Sequence, residues 1–214
     1  MNYLRYFVKI TIIITIISLS GDLFATMHRP DEKVTDWKIA LQYLTEGNQR
    51  YVENRSNAYL SNEEDRSSLL DGQNPFAVIL TCSDSRVAPE IFFDQRLGDI
   101  FVVRNAGNIY HPIALGSIEY AVDHLEVPLV VVVGHSQCGA VTGAFTGAQP
   151  GGNLQNILNI VVEHIEGCED IDEAIYKNIS SVVENIKKNT SQIEQETMVI
   201  GAYFDIATGL VTFY

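Results

Sequence analysis

Positive charge is scarce in these 214 residues: 14 Lys and Arg stand against 27 Asp and Glu, a formal net charge of −13. So acidic a chain is repelled by phosphate backbones and anionic headgroups, which argues against nucleic acid or an anionic membrane surface as partner. Cysteine is sparse as well. Three thiols, Cys82, Cys138 and Cys168, cannot all pair, so no disulfide framework of the kind that staples small secreted folds is available. Proline occurs six times and tryptophan once, and no internal repeat or second domain is visible. The run Ile10–Ser20 is apolar but short for a membrane span of about 20 residues. What remains is a chain 46% hydrophobic and 19% charged, long enough for one well-buried domain with short extensions.

Residues 1–25 differ from the rest. Arg5 and Lys9 charge the head, Ile10–Ser20 forms a greasy middle, and Leu23-Phe24-Ala25 offers a small residue for cleavage. That pattern predicts a secretory signal peptide cut after Ala25, with export to a bacterial periplasm; a retained anchor is the alternative. Removal takes away Arg5, Lys9 and Asp22, leaving the mature chain one charge more negative. No membrane contact is then expected.

Beyond the leader, one domain over 26–214 is expected. Trp37, Ala40, Leu41, Leu44 and Tyr51 recur at helical spacing across 35–55, with Thr35 or Asp36 available as the cap. A polar connection with a short helical piece follows over 56–74. Apolar runs at 76–81, 100–104, 129–133 and 198–204 read as buried strands. Between them, 113–125, 140–145, 154–166 and 171–188 carry helical spacing. The alternation predicts an α/β fold: a mostly parallel central β-sheet flanked by helices, closed by a strand over 210–214.

Two strand ends carry the chemistry. Cys82-Ser83-Asp84-Ser85-Arg86 follows the first apolar run, and His135-Ser136-Gln137-Cys138 follows the third. Either motif alone is weak, since a strand-end cysteine is most often a small buried apolar residue. Together they should converge outside the carboxyl edge of one parallel sheet, where such folds place their sites. Two thiols and an imidazole suit tetrahedral Zn²⁺. Asp84 and Arg86 are a carboxylate and a guanidinium positioned to act beside that ion.

Cys82-Ser83-Asp84-Ser85-Arg86-Val87 with His135-Ser136-Gln137-Cys138-Gly139-Ala140 closely resembles the β-class carbonic anhydrases. So do Phe101-Val102-Val103-Arg104-Asn105-Ala106-Gly107-Asn108, Gly116–Ala121 and Gly201–Asp205. The resemblance implies reversible hydration of CO₂ to bicarbonate at a zinc ion held by Cys82, His135 and Cys138. It implies that Asp84 and Arg86 act as a catalytic pair, and that Asp84 becomes a fourth zinc ligand in an inactive state when the pair separates. It further implies a CO₂ pocket lined by Gln73, Phe101, Ala106 and Tyr120, although Phe101 and Tyr120 also read as ordinary core. The helix over 35–55 would be an N-terminal arm reaching a second subunit, in a homodimer or dimer-based tetramer.

Other readings stay open at this stage. The same fold and zinc site could hydrolyse carbonyl sulfide or carbon disulfide. The chain could be a non-catalytic zinc-binding or assembly protein, though a purely structural site would use four protein ligands and need no acid–base pair. In an oxidising compartment Cys82 and Cys138 could form a disulfide. Cys168 reads as an ordinary thiol kept protonated by neighbouring acids, and His28, His111, His124 and His164 as surface residues.

Overall fold

The computed structural model describes residues 33–57, 62–190 and 197–214. The expected signal peptide lies outside them. Asp36 caps the first helix, its carboxylate accepting from Lys38 N at 2.8 Å, and α1 (Trp37–Val52) follows. Then come α2 (Glu63–Ser68), β1 (Ala77–Cys82), α3 (Pro89–Phe92), β2 (Ile100–Asn105) and a 3₁₀ turn at Ala106–Asn108. The chain continues through α4 (Pro112–Leu125), β3 (Leu129–His135), α5 (Gly139–Phe145), α6 (Gly152–His164) and α7 (Ile171–Asn189). It closes with β4 (Met198–Phe204) and β5 (Val211–Phe213).

The five strands lie in the order β2-β1-β3-β4-β5, the first four parallel and β5 antiparallel to β4. Strand periodicity splits the apolar residues between two cores. Val78, Leu80, Val130 and Val132 face α4 to α7, while Ala77, Ile79, Leu129, Val131 and Val133 face α1 and α3. β1 and β3 are buried on both faces, which is why they read as unbroken apolar runs. β2 departs from expectation. It is an edge strand, only half-buried, because β1 pairs with one side of it and no strand among the described residues pairs with the other.

α1 packs on this chain's own sheet through Ala40 and Leu44, and Trp37 and Leu41 lie partly buried beside them. Its last turns use residues that look polar in the sequence. Gly47 is obligatory there, since a Cβ would sit 1.7 Å from Phe93 O. Asn48 is buried and satisfies three backbone groups. Its Nδ2 donates to Phe92 O (2.9 Å) and Gly209 O (2.8 Å), and its Oδ1 accepts from Val211 N (2.8 Å). No helix among the described residues is long and apolar enough to cross a membrane.

Candidate metal centre

β1 and β3 are hydrogen-bonded neighbours, so their carboxyl ends deliver Cys82 and His135 side by side. Thr81 Oγ1 donates to Val133 O at 3.0 Å and locks that register. The loop after β3 is fastened to β4: Ser136 N donates to Phe204 O (3.0 Å), and Ser136 Oγ accepts from Ile206 N (3.0 Å). Gln137 adopts a left-handed φ of +58°, turning the chain so that Cys138 caps α5 and faces back. Cys82 Sγ, Cys138 Sγ and a His135 ring nitrogen lie within 4.8 Å of one another, all three residues buried.

The donor set fits a soft divalent ion. His135 Nδ1 lies 2.9 Å from Ser136 O, an acceptor, so that nitrogen carries the ring hydrogen and Nε2 is left with a lone pair. Nε2 is buried and has no hydrogen-bond partner among the described residues, which is costly for a polar atom unless something ligates it. Cys82 and Cys138 are unbridged thiols. The Cys138 thiol beside it holds Cys82 below the ordinary thiol range, assisted by His135 and the Gly107 N–H. The same contact, with burial, pushes Cys138 up. The two shifts describe one proton shared by a close pair of sulfurs, which a metal would displace.

Asp84 and Arg86 form a two-pronged pair. Arg86 Nε donates to Asp84 Oδ1 (2.9 Å) and Nη2 donates to Oδ2 (2.7 Å), while Arg86 N also donates to Oδ1 (2.9 Å). The guanidinium holds the Asp84 carboxyl well below the usual carboxylate range. Asp84 therefore stands with Arg86 and outside the Cys–His–Cys group. Arg104, which the sequence offers only as part of a longer motif, braces the same loop. Its Nε donates to Cys82 O (3.0 Å) and its Nη2 to Asp84 O (2.7 Å).

The four expected pocket residues are placed differently from one another. Ala106 is next to Gly107, whose N–H donates to Cys82 Sγ at 3.4 Å, so it borders the centre. Gln73 is exposed before the amino end of β1, at the far edge of the sheet from Cys82. Phe101 pairs with Val78 near the start of β2, four residues or about 13 Å along the strand from the Cys82–Asn105 rung. Tyr120, 47% exposed on α4, sits against Phe101 with ring centroids 6.2 Å apart. Within one chain, then, Gln73, Phe101 and Tyr120 are not gathered round the centre. Phe101 instead helps line a groove of about 500 Å³ with Val103, Asn105, Ile113, Ala114 and Ile157.

Solved β-class carbonic anhydrases share this architecture. The tetrameric β-carbonic anhydrases of Sordaria macrospora superpose with a TM-score of 0.63 at 28% identity, over 82% of this chain and 96% of theirs. Named proteins agree. Carbonic anhydrase 2 of Mycobacterium tuberculosis is 41% identical over 171 residues, 76% of this chain and 81% of that protein. The carbonic anhydrase of Mycolicibacterium smegmatis is 38% identical over 192 residues, 83% of this chain and 91% of that one. The family profile described as carbonic anhydrase matches residues 77–211. The chain belongs to the β-carbonic anhydrase family and is a carbonic anhydrase.

Proposed function

We propose that Cys82, His135 and Cys138 hold one Zn²⁺ and that the enzyme interconverts CO₂ and bicarbonate. The observation that carries this reading is the buried Cys–His–Cys cluster, in which His135 Nε2 has no hydrogen-bond partner among the described residues. A zinc ion held by these three residues would supply the Lewis acidity that makes water a nucleophile near neutral pH. The chain's own residues orient the reactants. Asp84 Oδ1 takes two donors from Arg86 and Oδ2 takes one, so Oδ2 has room to accept a hydrogen bond from the reacting water or from the product's hydroxyl. Arg86 keeps that carboxylate ionised and turned from the sulfurs. Water adds its oxygen to carbon, and one proton leaves for solvent with each bicarbonate formed.

Stopped-flow pH change on zinc-quantified protein tests this. Hydration proportional to zinc content is expected, and Cys82→Ser should abolish both; zinc-loaded wild type with no hydration at any pH would overturn the reading.

Assembly and location complete the proposal. Among the described residues β2 presents an unpaired edge beside exposed Ile113 and Tyr120, and the Sordaria relatives are tetramers. We take the working unit to be a homodimer or a dimer-based tetramer in which Gln73, Phe101 and Tyr120 serve across the interface. Residues 1–25 act as a signal peptide for export to a periplasm.

A further inference from the structure

The inner stripe of α7 is apolar but for one residue. Ala174, Ile175, Ile179, Val182, Val183 and Ile186 are buried, and Asn178 is wholly buried among them. A buried carboxamide left unpaired is destabilising, so both of its ends need partners. Asn178 Nδ2 donates to Gly107 O at 3.0 Å, and Oδ1 lies 2.8 Å from His164 Nδ1. The Gly107 carbonyl can only accept, which fixes the amide's orientation. Oδ1 therefore takes the hydrogen from His164 Nδ1, and that ring's tautomer is set.

Gly107 also faces the metal centre. Its N–H donates to Cys82 Sγ at 3.4 Å. The residue stands at φ +76°, where a Cβ would lie 3.1 Å from Ala140 Cβ, so glycine is required and no side chain restrains the turn. The restraint comes from outside. Asn178 on α7 grips the carbonyl on one side of the Gly107 Cα, and the peptide N–H on the other side is the one that reaches the sulfur.

We infer that Asn178 is a positioning residue of the metal centre: through the Gly107 carbonyl, and braced by His164 at the end of α6, it keeps the Gly107 N–H aimed at Cys82 Sγ. The inference rests on Cys82 serving as a metal thiolate. An N–H on a thiolate draws off part of its charge and so sets how strongly the sulfur donates to the ion. Without it the sulfur donates more, and the ion becomes a weaker Lewis acid.

Cobalt(II) substitution reads this directly, since the thiolate-to-cobalt charge-transfer band reports the charge on sulfur. Asn178→Asp keeps the acceptor for His164 but loses the donor to Gly107, and Asn178→Leu loses both. Each should move the band to longer wavelength and lower turnover of the zinc enzyme about 10-fold, the low end for a residue supporting a ligand. His164→Leu, which leaves the Gly107 bond in place, should move the band less and in the same direction. Folded, cobalt-loaded Asn178 variants with the wild-type band would overturn the inference, even if their Tm had fallen. Should neither Asn178 variant fold, an unmoved band in His164→Leu would overturn it instead. Wild type lacking any thiolate band would sink the metal reading, and this inference with it.

Discussion

At the scale of single residues, the centre depends on very few atoms. The Asp84 carboxylate is not one of the Cys–His–Cys donors, so its removal should spare the proposed metal. Asp84→Asn is expected to retain zinc at wild-type stoichiometry while turnover drops about 10- to 100-fold, as measured by elemental analysis beside stopped-flow hydration. Full activity in that variant would remove Asp84 from the mechanism. That Cys82, His135 and Cys138 come together and that Asp84 pairs with Arg86 was legible in the sequence, because each lies within a few residues of an apolar run that reads as a buried strand. Asn178, Arg104 and His164 were not. Their roles depend on contacts across 71, 22 and 14 positions of chain. One signal for Asn178 does exist: a carboxamide at a place in α7 where the helical period calls for an apolar side chain.

At the scale of elements, helix and strand positions followed from periodicity, while the fastenings between them did not. The spacing over 35–55 gives α1 and its apolar face, yet nothing local shows that Asn48 ties α1 to the end of α3 and the start of β5. Asn48→Ala leaves two carbonyls and one N–H without their partner in a buried place. It should cost about 3 kcal/mol in denaturant unfolding, with activity per folded, zinc-loaded molecule retained. A change under half a kcal/mol, roughly the size of an ordinary surface substitution, would show the fastening to be idle.

β4, β5 and α7 meet in an aromatic group: Tyr176 stacks on Tyr203 at 4.8 Å and lies 5.5 Å from Tyr214. Burial raises the phenols of Tyr203 and Tyr214 above their ordinary value. The neutral phenols therefore favour the folded state in full below about pH 10, the unfolded value, and that contribution is lost as pH rises above it. Thermal unfolding from pH 8 to 11 should show Tm falling in the upper part of the range. Tyr214→Phe should flatten the fall, and an equally steep curve in that variant would contradict the assignment.

For the whole molecule, nothing local marks β2 as a half-exposed edge, because the run Ile100–Val103 is as apolar as a central strand. Apolar residues on an edge are a reason to seek a partner surface. Light scattering on the protein lacking residues 1–25 should give the mass of two or four copies. Charged substitution at Ile113, 78% exposed, should reduce the mass and the activity together. A fully active monomer would show that Gln73, Phe101 and Tyr120 play no part across an interface. The proposed export makes its own prediction. Mass spectrometry of protein expressed from the full chain should find Thr26 at the amino terminus, whereas a retained Met1 would favour the anchor.

All of these levels bear on the proposed cation, held by two sulfurs and a ring nitrogen. Zinc K-edge X-ray absorption on the purified enzyme measures that environment. It should show two sulfur neighbours at about 2.3 Å and one imidazole nitrogen at about 2.0–2.1 Å, with a further light-atom neighbour. A shell of four sulfurs, or a shell without sulfur, would contradict it.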